Sequence, residues 1–183
     1  MDPIRNPYAP GAGTPPPELS GRDDLLQRVE IVLERLRARR ATKSFILLGL
    51  RGVGKTVLLN RMQVDAEAAG ICTLRAEAPE GRSLPGILAP QLRQSLLRLS
   101  RNAQAADYAR RALRALAGFV RALKVKYRDI EVVLDVEPEV GLADNGDLEL
   151  DLQQLLEVVG EAAARASTAV VIFLDELQYI PEA

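Results

Sequence analysis

Residues Gly49 to Thr56 read G-L-R-G-V-G-K-T and match the pattern G-x-x-x-x-G-K-[ST] at every fixed position. No other stretch limits the chain as tightly. Gly49, Gly52 and Gly54 let the backbone curl with its N–H groups turned inward, a nest that bulky side chains would fill. The variable positions Leu50, Arg51 and Val53 add their own backbone N–H groups to the cradle. Lys55 brings an ammonium to phosphate oxygens, and Thr56 offers a hydroxyl to Mg²⁺. The surroundings suit the motif. Phe45-Ile46-Leu47-Leu48 is a short apolar run fit for a buried parallel strand. Val57, Leu58, Met62 and later alanines then predict a helix that stops at Gly70.

Composition narrows the field mainly by exclusion. The 183 residues suffice for one domain with a core, and 48% hydrophobic with 27% charged residues is ordinary for a globular chain. With no histidine, His-based triads and His metal sites are ruled out. The single cysteine, Cys72, cannot form an internal disulfide and fits a reducing cytoplasm. A formal net charge of -1 gives no global pull towards nucleic acid or an anionic membrane. No 18-residue apolar run is present, so no transmembrane helix and no membrane partner is expected. The first residues lack the basic-then-apolar order of a signal peptide.

Along the chain, residues 1–18 read as a Pro/Gly-rich arm, extended and irregular, and 19–183 as one core. Ser20 and Asp23 resemble a capping box before a helix whose apolar face runs from Leu25 to Leu36. Arg35, Arg37, Arg39 and Arg40 suit the end of that helix. A second strand is expected at 71–76, and helices over 87–99 and 103–123, the latter with arginines on its outer face. Ile130 to Val136 is strand-like, and Asp144-Asn145-Gly146-Asp147 would close a hairpin. Asp151 reads as the N-cap of a helix reaching Ala163.

The apolar run 169–174 then delivers Asp175 and Glu176. A carboxylate at a strand's C-terminal end beside a phosphate-binding loop can hold Mg²⁺, and a second can orient and deprotonate an attacking water. Asp175 is assigned to the metal and Glu176 to the water.

With these stretches in view, the chain resembles the P-loop ATPases of the AAA+ and STAND kind, initiator-like members included. Three segments carry the likeness: Gly49 to Thr56, Val170 to Glu176, and the approach Pro17 to Asp23. The resemblance implies a three-layer αβα parallel sheet, ATP and Mg²⁺ as cofactors, and Leu19, Gly21 and Arg22 near the adenine base. Lys55 and Glu176 become the residues of turnover. Residues 85–150 match nothing in that family pattern and read as a helical and β-hairpin insertion. The chain stops seven residues after Glu176, whereas the family continues through a strand with a polar sensor residue, a further strand and a helical lid. The sequence is therefore expected to be a front half, its activity impaired unless a C-terminal half or another copy fills the gap.

Rival readings stay open at this point. A nucleotide kinase or GTPase would share the loop, but kinases normally lack a Glu after the strand-end Asp, and GTPases need N-K-x-D, whereas no asparagine here precedes a lysine. A DNA-associated initiator or transposition helper would use the arginine-rich helix 103–123, without support from net charge. A STAND regulatory protein would carry its effector domain elsewhere.

Overall fold

The computed structural model describes residues 22–40, 42–50 and 52–180. Along them stand α1 (Asp23–Arg37), α2 (Lys55–Ala68), β1 (Cys72–Glu77), α3 (Leu84–Leu99), α4 (Ala106–Leu123), α5 (Leu148–Arg165) and β2 (Val170–Asp175), followed by a 3-10 turn at Leu177–Tyr179. The chain divides into two compact units, residues 1–71 and 72–183.

In the first unit α1 packs against α2. Asp23 and Asp24 occupy the first turn of α1 and Arg35 and Arg37 its last, each complementing the helix dipole. Its buried side is Val29 and Leu33; that of α2 is Leu58, Met62 and Ala66. Arg22 stands at the N-cap position of α1 and makes no side-chain cap, while Ser20 of the expected capping box lies outside the described residues. The strand expected at 45–48 does not form. Ile46 is 72% and Leu48 90% exposed, and no described strand pairs with them. An apolar run becomes a strand only where a neighbour offers its backbone, and the described chain offers none here.

The second unit is built on β1 and β2, which pair in parallel from Cys72 opposite Val170 to Glu77 opposite Asp175. Alternation puts Leu74, Ile172 and Leu174 on one face, where they meet a core supplied by α3, α4 and α5. Cys72 is half-buried, its Sγ 3.7 Å from Ser95 Oγ. Alanines Ala109, Ala112, Ala162 and Ala163 are buried in this core, small enough to let α4 and α5 approach closely. On its outer side Arg111 reaches Glu139 and Glu161, and Arg114 donates to the Glu137 carbonyl. Among the described residues no helix is long and apolar enough to cross a membrane.

The hairpin expected across 130–147 is absent. Ile130 and Val132 are buried and Leu134 packs beside them, so the chain alternates as a strand would, but it lies on the core without a ladder. Asp151 is not the N-cap of α5. Asp147 is, its Oδ1 accepting from Leu150 N at 2.9 Å. Asp151 is wholly buried one turn later and accepts from Asn145 N, Asn145 Nδ2 and Gly146 N at 3.0, 2.9 and 2.8 Å. Those bonds fold the Asp144–Asp147 turn back onto the helix start.

A second polar staple opens α3. Ser83 caps it by accepting from Gly86 N at 3.1 Å, and its own N–H and hydroxyl donate to the two oxygens of Asp129 at 2.8 Å each. Pro90 lacks the N–H that would bond the Gly86 carbonyl, and Arg82 donates to that oxygen instead, at 3.4 Å. A Cβ at position 86 would stand 2.3 Å from Asp129 Oδ2, so any side chain there must displace that carboxylate.

Two outcomes follow from this staple. Gly86→Ala should cost about 1–3 kcal/mol by displacing Asp129, read as a lower urea midpoint at unchanged slope. Burial opposes the charged form of Asp129, but the Ser83 bonds and Arg82 outweigh it and hold the carboxyl below its usual range. A carboxyl lowered by folding stabilises above its unfolded pKa, about 3.9, and loses that contribution as pH falls through the folded value. Asp129→Asn should therefore lose less stability than the parent between about pH 5 and about pH 2, in denaturant titrations run across that range.

Candidate functional site

The glycine-rich loop hands directly into α2. Gly52 and Gly54 adopt φ of 82° and 83°, left-handed values that other residues meet with strain, and Gly54 is the N-cap itself. No side chain caps α2 and no acid stands in its first turn. The first free N–H groups of the helix, at Lys55 and Thr56, thus keep their capacity for an anion. Lys55 Nζ donates to the carbonyls of Gly49 and Leu50 at 2.9 Å each, so the ammonium closes over its own loop. Thr56 is half-buried in the first turn. A Cβ at Gly49 would sit 3.1 Å from Val53 Cγ2, a close fit across the loop.

Arg22 joins this group. Its guanidinium donates to the Val53 carbonyl at 2.9 Å, tying the start of α1 to the loop. Gly21 and Arg51 lie outside the described residues, as does Leu19.

In the second unit β2 ends at Asp175, whose Oδ2 meets Arg75 of β1 at 3.2 Å, with side chains 12% and 26% exposed. Residues 75 and 175 share a face because the ladder sets them two positions apart in register. Asp175 Oδ1 accepts from Glu176 N at 3.0 Å, and the Asp175 carbonyl accepts from Ala78 N at 3.0 Å. Glu176 itself is left-handed, φ 56° and ψ 36°, and its carboxylate accepts from Gln178 Nε2. A non-glycine residue held there costs on the order of 1–2 kcal/mol, a strain that gathers at functional positions.

Arg75 is the residue that sequence reasoning missed. Nothing in its local spacing marks it, since its role arises only from the ladder. Among the described residues no cluster of three or more Cys, Asp or Glu is placed to hold a metal. A cation held by Thr56 or Asp175 would therefore draw most of its ligands from phosphate oxygens and water, as Mg²⁺ commonly does.

Both the loop and the acidic strand end fall within residues 18–183, which match a family model described as AAA ATPase domain. The chain belongs to that family. No curated protein and no solved structure matches it. As an AAA ATPase domain the chain has the P-loop NTPase fold and the general function of a nucleotide-binding ATPase. The parallel pairing of β1 with β2 and their helical cover fit that α/β class.

Arg75→Met in this domain would leave Asp175 without its cation in a half-buried setting. The expected loss is about 1–3 kcal/mol, measured as a drop in urea midpoint. An unchanged midpoint would show that the pair contributes nothing.

Proposed function

We propose that the chain binds Mg²⁺-ATP on the Gly49–Thr56 loop and uses the bound nucleotide as a conformational switch with slow hydrolysis. The observation that carries this reading is the uncapped, acid-free start of α2 behind two left-handed glycines. Such a terminus stabilises an anion through its N–H groups and dipole. Lys55, now on loop carbonyls, would turn its ammonium to the β- and γ-phosphates, and Thr56 would supply a hydroxyl to Mg²⁺. That ion neutralises charge developing on the phosphates. Asp175 would hold it, usually through water, and Glu176 would take the proton of the attacking water. Arg22, bonded to Val53, supports a base-side role for the stretch before α1.

In the same reading residues 19–183 form the ATPase core, 85–150 are inserted within it, and 1–18 are an arm. A second copy is the natural partner, and a reducing cytoplasm suits the lone Cys72. The reading as a DNA-associated initiator draws no support from the first two-thirds of α4. Arg110, Arg111 and Arg114 there each meet a carboxylate, which leaves that face nearly neutral.

Calorimetric titration with Mg²⁺-ATP tests the assignment. Lys55→Ala should weaken binding at least tenfold, about 1.4 kcal/mol, and equal heats for the two proteins would refute it. Glu176→Gln should retain binding while any turnover falls by roughly 10²–10⁴, followed by phosphate release. Competition between ATP and GTP reads the base preference.

A further inference from the structure

The run Arg121 to Glu131, R-A-L-K-V-K-Y-R-D-I-E, carries four cations against two carboxylates. Its backbone is a compact double turn, with Lys126 N and Tyr127 N both bonding the Leu123 carbonyl and Ile130 N bonding that of Tyr127. Burial sorts its side chains. Leu123 and Ile130 are fully buried, Tyr127 packs on the core, and Asp129 is committed to Ser83. Arg121, Lys124, Val125, Lys126 and Arg128 are left facing water, with Val125 87% exposed. The turn is thus anchored from within and presents its charges from a fixed base.

Those four cations differ from the rest of α4. Each arginine at 110, 111 and 114 sits on a carboxylate, whereas none at 121, 124, 126 or 128 has an ion pair among the described residues. Lys126 only overlies the Tyr127 ring, at 5.3 Å. The helix dipole accounts for Arg121 and Lys124 at the end of α4, but its reach is spent within the last turn. Lys126 and Arg128 lie beyond it. Asp129 is neutralised by its own partners, so Glu131 is the one exposed carboxylate of the run. Four cations carried by the last turn of α4 and the turn after it, against one exposed carboxylate of the run, leave local positive charge, and a polyanion relieves its self-repulsion.

We infer that this turn is a contact surface for the phosphate backbone of nucleic acid, read without sequence preference. Closely spaced fixed phosphates match cations fanned from one short turn, and arginine can take phosphate oxygens in pairs. Its one apolar side chain, Val125, is far less than the apolar face by which interfacial helices hold a membrane. The inference is independent of the nucleotide reading above, since it uses no residue of that site.

The test is fluorescence anisotropy of the full chain with labelled duplex and single-stranded DNA, with anionic phospholipid vesicles in a parallel sedimentation arm. Four phosphate contacts predict a log–log salt slope of about −3 to −4 on duplex, so affinity falls about a hundredfold between about 50 and about 200 mM salt. Lys124→Glu with Lys126→Glu and Arg128→Glu should lower affinity at least tenfold and flatten the slope, and the milder Lys124→Gln with Lys126→Gln should give part of that effect. Arg110→Ala should leave both unchanged. Thermal melts of each variant keep a folding defect from passing as a binding loss. Equal binding by parent and charge-reversed chain, no binding at about 50 mM salt, or capture by vesicles without DNA binding would overturn the inference.

Discussion

The parallel ladder between Cys72–Glu77 and Val170–Asp175 is the constraint on which the second unit rests. Nearly a hundred residues of chain separate its strands, and α3, α4 and α5 fill that interval. The ladder makes the packing compulsory. Once Leu74 lies beside Ile172, one face of the sheet is apolar and must be covered, and the three helices supply the cover. The same register places Arg75 next to Asp175, so the core and the acidic strand end are set by a single alignment. A slip by one residue would turn Leu74 outward and Arg75 inward, at a cost no local contact could offset.

Polar groups do the complementary work at the ends of helices. Asp129 holds the start of α3 from a position 46 residues away, and Asp151 holds the turn that feeds α5. Both are carboxylates met by backbone N–H donors. A charge met this way is stabilised even where solvent is thin, and it fixes loop direction in a way that apolar contacts cannot. These contacts explain how residues 124–147 stay ordered on the core without a ladder of their own.

Much of the candidate site was legible in the sequence, because a glycine-rich loop followed by Lys-Thr is a local pattern. Glycine spacing, Lys55 and Thr56 declare themselves without knowledge of the fold, and so does an apolar strand ending in Asp175. β1 was foreseen to within a residue at each end. The failures share one cause. Phe45 to Leu48 and Ile130 to Val136 have the composition of strands, but composition reports a taste for burial, not the presence of a hydrogen-bonding neighbour. The second of these stretches found burial alone; the first found neither. Choosing Asp151 over Asp147 as the cap of α5 was the same kind of error, since both are suitable acids and only the backbone settles which one stands outside the helix. Arg75 could not be foreseen because its importance lies across the sheet.

The aliphatic side chains of Ile46, Leu48 and Leu50, standing in water beside the loop, have a colloidal consequence. A run that is apolar, exposed and unpaired is a template for other chains. Concentrating the protein will therefore bring molecules together through this stretch while the ladder and its helices remain intact, so turbidity will precede melting. A lysine in place of Leu48 would lengthen the working life of the preparation and leave the folded core as it is.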